Sequence, residues 1–405
     1  MTARSAAARL ALLVLSALAS PASAAPAAPD GLGPLAPEVL EASEVPAPLP
    51  TDPGSPLWDK LPPKPFVAAP QSTVRLHDRK ANEALAEATN RGVRVRAATE
   101  GASLAIVVEW PDATENRLAT DGVDSFGDAA AIQFPLRYGA GTRLPYVGMG
   151  DDGERVAVFL ERASASGTTF REAVGAGFGK LARTDLGGLA GGLRRDPSGK
   201  GWRALFVRPL SKGGVELGRG LVPFAVAIWD GAASERGGNK ALTGWKYVRL
   251  ARFPLEPAYV AELSWGFAPG DLGDPRKGKE LFEGMCGACH VAGPGSVAPP
   301  GIAPDLSRIG VVATPAYLRE SIVAPSAVVV PSPNPAQHQD RAAKPDAAAA
   351  WPLDEAYVWF RMEPGGGRTS TMPDFSGLPK EEVAALVAHL RTLGVDAAGG
   401  SGGMP

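Results

Sequence analysis

Between about residues 57 and 268 the apolar residues come in short runs: Val93 to Ala97, Leu104 to Trp110, Ala129 to Phe134, Val156 to Leu160, Ala204 to Arg208, Phe224 to Trp229 and Trp245 to Leu250. Gly, Asp and Pro separate them. Runs of this length bounded by turn residues predict β-strands. Strand side chains alternate between faces, so Leu104, Ile106 and Val108 are expected on one side of their strand, and Phe224, Val226 and Ile228 on one side of theirs. Many strands and few helices predict an all-β sandwich over 57–268. Residues 161 to 200 are Gly-rich and weakly patterned and are expected to be loop.

Near Pro269-Gly270-Asp271 the pattern changes to a helical one, and an all-α domain is expected over 269–396. Lys279 to Met285 reads as the end of a first helix, Pro315 to Val323 as a second and Pro379 to Leu393 as a third. In the third, Pro379 suits the first turn, Glu381 and Glu382 complement the positive end of the helix dipole, and Val383, Leu386, Val387, Leu390 and Leu393 form one apolar stripe. Gly394 then stops it. Pro331 to Ala350 is rich in Pro and Ala and reads as an inserted surface loop, and residues 397–405 as a flexible tail. No internal repeat argues for a solenoid or propeller.

The first residues read differently. Arg4 and Arg9 precede an apolar run, Leu10 to Leu18, followed by small residues ending Ala22-Ser23-Ala24. This is the pattern of a secretory signal peptide over 1–24, with an uncleaved anchor as the alternative. The apolar run is shorter than the roughly 20 residues that span a bilayer, and no later stretch reaches that length without charges. A periplasmic mature chain without a membrane span is expected. Residues 25–56, rich in Ala and Pro, read as an extended or weakly ordered leader. The net charge of -2 gives no basic footprint for nucleic acid.

An exported chain of 405 residues has room for disulfides, yet it holds 2 cysteines. They stand in Cys286-Gly287-Ala288-Cys289-His290, two thiols one turn apart with an imidazole directly after the second. That spacing suits thioether formation with the two vinyl groups of a haem, with His290 beneath the iron as the proximal ligand. The bland alternatives are a redox pair or half a zinc site. No second thiol pair exists to complete a zinc site, and the β-α-β context of a redox motif is missing. Covalent haem c is therefore expected at Cys286 and Cys289.

The surrounding sequence resembles the class I cytochrome c family over about 271–395: Gly278-Lys279-Glu280-Leu281-Phe282 before the motif, Ala303-Pro304-Asp305-Leu306 after it, and Ser370-Thr371-Met372-Pro373-Asp374-Phe375 before the last helix. The resemblance implies an all-α cytochrome c fold and assigns Met372, of the Met-Pro pair, as the second iron ligand. Met362, His338 and His389 are competitors, and a bis-His site would lower the potential relative to Met/His. The long gap from His290 to Met372 departs from the compact family pattern.

In the first domain, Phe126-Gly127-Asp128-Ala129-Ala130-Ala131-Ile132-Gln133-Phe134-Pro135, Tyr146-Val147-Gly148-Met149-Gly150, Ile228-Trp229-Asp230-Gly231 and Glu235-Arg236-Gly237-Gly238-Asn239-Lys240 carry a second resemblance. The segment 57–255 looks like the haem-binding subunit of the ethylbenzene dehydrogenase, selenate reductase and chlorate reductase group, the third subunits of periplasmic molybdenum enzymes. That likeness implies a non-covalent haem b between a Met and a Lys, which fall at Met149 and Lys240. A thioether is a soft neutral ligand for iron. A lysine ligates only as the neutral amine, a form that burial and the metal both favour. Lys246 is the nearest substitute for Lys240, and His77 a further candidate. By residue type alone Met149 would be a turn filler and Lys240 a solvated surface lysine.

The chain shows no cysteine cluster for iron-sulfur centres, no recognisable molybdopterin-binding domain and no acid-base dyad in a motif. The resemblance implies a non-catalytic, dihaem electron-transfer subunit, with an iron-sulfur and a molybdenum catalytic subunit as partners and a soluble cytochrome or other redox carrier exchanging electrons with haem c. The alternative is an exported monohaem cytochrome c tethered to a ligand- or carbohydrate-binding sandwich, with Trp110, Trp229 and Trp245 as ligand platforms. A third reading, an oxidase with an open iron site, requires that Met372 be unbound.

Overall fold

The computed structural model describes residues 31–46, 48–71, 87–119, 126–177, 180–187, 190–196, 198–268, 270–297, 303–329, 360–363 and 368–395. The signal segment, His77, His338, the Pro331 to Ala350 insertion and the 397–405 tail lie outside the described residues. The strands are β1 (Val39–Glu41), β2 (Ser43–Glu44), β3 (Lys64–Pro70), β4 (Arg91–Glu100), β5 (Ser103–Pro111), β6 (Ala129–Pro135), β7 (Val156–Ser164), β8 (Gly167–Gly175), β9 (Leu181–Arg183), β10 (Ala190–Arg195), β11 (Gly201–Pro209), β12 (Ser211–Lys212), β13 (Val215–Glu216), β14 (Leu221–Trp229), β15 (Ala241–Leu242), β16 (Lys246–Arg249), β17 (Phe360–Met362) and β18 (Arg368–Ser370). The helices are α1 (Pro56–Lys60), α2 (Pro257–Ser264), α3 (Pro275–Met285), α4 (Ile309–Val312), α5 (Pro315–Val323) and α6 (Lys380–Thr392).

The β-rich part is a sandwich of largely antiparallel strands. Its hydrogen-bonded order runs β10-β11-β5-β4-β3-β15-β14-β6-β7-β8-β9. Strand β3 turns the corner, because Lys64 to Ala68 pair with β4 while Ala69 and Pro70 pair with β15. The core between the two layers takes one face of each strand: Leu104, Ile106 and Val108 from β5, Phe224, Val226 and Ile228 from β14, and Ala130, Ile132 and Phe134 from β6. These are the faces that alternation assigns inward.

Two stretches differ from the sequence reading. Residues 161 to 200 are not loop: β7 runs on to Ser164, turns back at Gly167 into β8, and β9 and β10 follow. Strand β8 hid because its first residues, Gly167 to Arg171, face solvent on both sides and carry no apolar alternation; backbone pairing with β7 holds it. Within the 25–56 segment expected to be an extended or weakly ordered leader, residues 31–46 instead join the sandwich. A 3-10 turn at Gly33–Glu38 buries Leu32 and Leu35, and β1 and β2 add parallel to β16 and β4. The scattered Leu and Val among Ala and Pro suffice because they join a core built by other strands.

In the helical part, Asp274 accepts from the Arg276 N–H at 2.8 Å to cap α3, and Thr314 accepts from the Tyr317 N–H at 3.2 Å to cap α5. Pro379 stands just before α6 rather than inside its first turn. Helices α3 and α6 cross so closely at Gly278 that a Cβ there would lie 1.9 Å from the Ala385 carbonyl oxygen. The two parts of the chain share a core, with Ala69, Val147, Ala225, Leu242 and Trp245 packed among Phe282, Ile309, Leu318 and Leu386. No described helix is long and apolar enough to cross a membrane.

Candidate functional site

The end of α3 shapes the cysteine motif. The Cys286 N–H donates to Phe282 O at 2.8 Å, and the Cys289 and His290 N–H groups donate back to Cys286 O at 3.0 and 2.9 Å. The helix thus closes in a tight turn that puts both sulfurs and the imidazole on one wall of a cavity of about 430 Å³. Cys286, Cys289, His290, Pro304, Leu306, Tyr317, Leu318, Met372 and Phe375 are among the residues that line it. His290 Nδ1 lies 2.9 Å from the Pro304 carbonyl oxygen. With Nδ1–H donating there, the ring is held in the tautomer that leaves Nε2 free for a metal. Burial pushes the His290 imidazole down, toward its neutral form, and the Cys286 thiol up to about 11.

Met372 reaches the same cavity from the segment after β18, where its N–H donates to Ser370 Oγ at 3.1 Å. Of its competitors, His389 sits on α6 edge-to-face with Phe282, ring centroids 5.4 Å apart, and is not among the cavity residues. Met362 lies on β17, with its side chain outside the described residues. The donor set of two thiols, an imidazole and a thioether around apolar walls fits a covalently attached haem.

A second cavity, of about 530 Å³, lies on the outer face of β6, β7 and β14, the side turned away from the sandwich core. Its floor is small where a strand face could carry large groups: Ala131 on β6 and Ala225 and Ala227 on β14. Both volumes fall within the roughly 300 to 1,000 Å³ usual for ligand sites. Met149 and Lys240, 91 positions apart in the sequence, both border this cavity. Lys240 is 3 % exposed and its Nζ stands 5.4 Å from the Trp229 ring centroid. Burial pushes its amine down to about 8. Lys246 instead pairs with Glu38 and lies over Phe66, away from the cavity.

Met149 adopts φ +76°, one of two non-glycine residues with positive φ among those described. That conformation is sterically costly and is held by its surroundings: the Gly150 N–H donates to Tyr146 O at 2.8 Å and the Gly177 N–H to Met149 O at 3.0 Å. Asp151, clamped by Arg143 at 2.7 and 2.9 Å, accepts from the Tyr146 N–H at 2.9 Å. Strain of this kind, over-determined by its neighbours, gathers at ligand clamps.

The same turn touches both cavities. Tyr146 lines the cysteine cavity, while Val147 and Met149 line the other. Tyr146 also packs on Tyr317, ring centroids 5.8 Å apart. Consecutive Cα atoms are about 3.8 Å apart, so three residues of chain bridge no more than about 11 Å.

Sequence reasoning missed the rest of the second cavity: Gln133, Val158, Leu160, the alanine floor and the arginines Arg162, Arg171 and Arg183. A signal was present. The strands Ala129–Pro135 and Leu221–Trp229 are apolar almost throughout, which means both faces are covered, and only one face is taken by the core. Arg162 Nε is buried without a hydrogen-bond partner among the described residues, a donor suited to an anionic ligand group such as a haem propionate. An apolar slot with a thioether, a readily neutral amine and an orphaned arginine donor fits a non-covalent haem. Trp110 and Trp245 are buried and do not border this cavity, whereas Trp229, also buried, lines it.

Comparison with known proteins agrees with this division. Residues 275–394 match the cytochrome c family, so the C-terminal region is a cytochrome c domain. The chain is 33% identical over 160 residues, 38% of its length, to the chlorate reductase subunit gamma of Ideonella dechloratans, and spans 63% of that relative. It is 26% identical over 220 residues to a putative respiratory nitrate reductase heme subunit of Haloferax mediterranei, covering 53% of this chain and 73% of that one. Among solved structures, a putative carbohydrate-binding protein from Bacteroides uniformis covers 55% of this chain and 96% of its own at a TM-score of 0.31 and 13% identity. The protein joins a β-sandwich to a cytochrome c domain, in a chain similar to a chlorate reductase gamma subunit and to a putative respiratory nitrate reductase heme subunit.

Proposed function

We propose that this chain is a periplasmic, non-catalytic electron-transfer subunit that carries two haems. Haem c is attached at Cys286 and Cys289 with His290 and Met372 on its iron, and haem b lies between Met149 and Lys240. Its partners are an iron-sulfur subunit of a molybdenum enzyme on the haem b side and a soluble redox carrier on the haem c side. The observation that carries this reading is the Tyr146 to Met149 turn, which borders both cavities.

When bound, each haem supplies a one-electron centre. The residues of the chain do the rest. Pro304 O orients the His290 imidazole. Burial of Lys240 lowers the cost of removing its proton, since the charged ammonium has no described carboxylate to offset its desolvation. The apolar walls would keep water from a bound haem, and Arg162, Arg171 and Arg183 would offer positive charge to its propionates. With Tyr146 on one cavity wall and its neighbour Val147 on the other, electrons would need to cross only a short stretch of protein.

The test is a haem count on the full exported chain: acid-acetone extraction, then pyridine haemochrome spectra of both fractions. One extractable haem b beside one retained haem c is expected, and Lys240→Ala should lower the extractable haem at least tenfold without touching the retained one. Haem c alone in fully loaded protein would overturn the dihaem reading and favour a monohaem cytochrome with a ligand-binding sandwich.

A further inference from the structure

Away from both cavities, three aspartates converge where β5, β6 and β14 end or begin. Asp112 follows β5, Asp128 precedes β6 and Asp230 follows β14, and one carboxylate oxygen from each lies within 4.8 Å of the others. Asp112 and Asp128 are 7 % and 0 % exposed. Burial, reinforced by the neighbouring carboxylates, pushes both carboxyls up.

Nothing described neutralises this cluster. None of the three acids forms an ion pair among the described residues, and the nearby Arg195 spends its guanidinium on the backbone carbonyls of Asp112, Thr114 and Gly199. Asp128 is held in place by neutral donors: the Gly231 N–H at 2.7 Å, the Asn116 N–H at 2.7 Å and the Trp202 indole at 2.9 Å. Independently of the clustering, Asp112 Oδ2 is sealed from solvent with no hydrogen-bond donor among the described residues, while its Oδ1 accepts from Thr114. A buried carboxylate oxygen left without a donor costs about 1 to 3 kcal/mol or more unless a proton or a cation meets it.

We propose that Asp112, Asp128 and Asp230 form a calcium site that ties together the loops at one end of the sandwich. The donor set is all oxygen, which selects hard cations over zinc or copper. Ligand oxygens 2.3 to 2.6 Å from one Ca²⁺ lie at most about 5 Å apart, and the carboxylates meet that limit. Mg²⁺ holds its waters more firmly and suits a site of three carboxylates, two of them buried, less well. Close packing supports a fixed site: a Cβ on Gly231 would fall 2.2 Å from Phe126 O and 2.5 Å from Asn116 Cβ. Asp230 also opens the turn that leads to Lys240, so the ion would brace the stem of that loop.

The experiment is calorimetric titration of CaCl2 into the full, haem-loaded chain after EGTA treatment, paired with thermal unfolding in Ca²⁺ and in EGTA. One equivalent of Ca²⁺ is expected, with a Tm several degrees higher in Ca²⁺ than in EGTA. Asp230→Asn keeps an oxygen acceptor for the Ala232 and Ala233 N–H groups and should weaken binding at least tenfold. No heat and no change in Tm for the unaltered chain, affinity unchanged in Asp230→Asn, or MgCl2 binding as tightly as CaCl2 would each overturn the calcium assignment.

Discussion

The two cavities are built at opposite ranges of the chain. The cysteine cavity draws three of its four donor groups from five consecutive residues at the end of one helix, Cys286 to His290, and the fourth from Met372. The other is defined by Met149 in a strained turn and Lys240 in a distant loop, joined over an alanine floor that two paired strands supply. Covalent attachment needs two thiols at a set spacing, so it writes a local signature. A non-covalent slot needs shape, and shape on a sheet face is made by residues two apart on several strands. The first kind of site is legible as a motif, the second as a hollow.

The largest expected effect isolates the local site. Replacing Cys286 and Cys289 together by Ala should abolish covalent haem in the acid-acetone residue while leaving the extractable haem unchanged. Loss of both would mean that the second cavity depends on the first. Gly278→Val comes next. With a Cβ already 1.9 Å from Ala385 O, the α3–α6 crossing must open, at a cost of about 3 kcal/mol. The expected outcome is earlier melting of the helical signal in circular dichroism, with the sandwich transition in place.

Met372→Ala should retain covalent haem c but lower its potential, by roughly 0.1 V within the ~0.8 V span that axial ligands control. Redox titration of the extractable haem should show no matching shift. The smallest effect sharpens the sandwich side. Glu161 on β7 is 3 % exposed, and its Oε2 has no hydrogen-bond partner among the described residues. Burial pushes its carboxyl up to about 7. The folded state therefore binds the proton more tightly than the unfolded one. This contribution to stability is full below the ordinary glutamate value and is lost as pH rises through about 7. Glu161→Gln should raise Tm by on the order of 3 °C at pH 8, with the gain shrinking toward pH 5 in a pH series of melts.

How far each part could be read from residues alone follows the same contrast. Six of the seven apolar runs lie within strands, the seventh, Trp245 to Leu250, overhangs β16 (Lys246–Arg249) by one residue at each end, and Pro315–Val323 is a helix with the limits its sequence suggests. Strands β8 to β10 escaped because pairing, rather than an apolar face, stabilises them, and pairing partners are not written locally. The segment at 31–46 escaped because its scattered apolar residues among Ala and Pro have no periodicity; Leu32, Leu35, Val39 and Leu40 are buried by elements far along the chain. Met149 and Lys240 were reached only through a family resemblance. Their residue types argue for a filler and a surface lysine, and burial of Lys240 is a property of the folded neighbourhood.

What the sequence determined by itself is chemistry that acts over a turn: the thiol spacing, the imidazole beside it, the capping residues and the alternation that sorts β5 and β14 into inner and outer faces. The tertiary structure alone decided that the outer face of β14 would be a cavity floor, that one turn would border two cavities, and that three aspartates would meet. Those outcomes depend on strand order and on the crossing of β3 between layers. Backbone hydrogen bonds between distant segments set both, and no single stretch of residues encodes them.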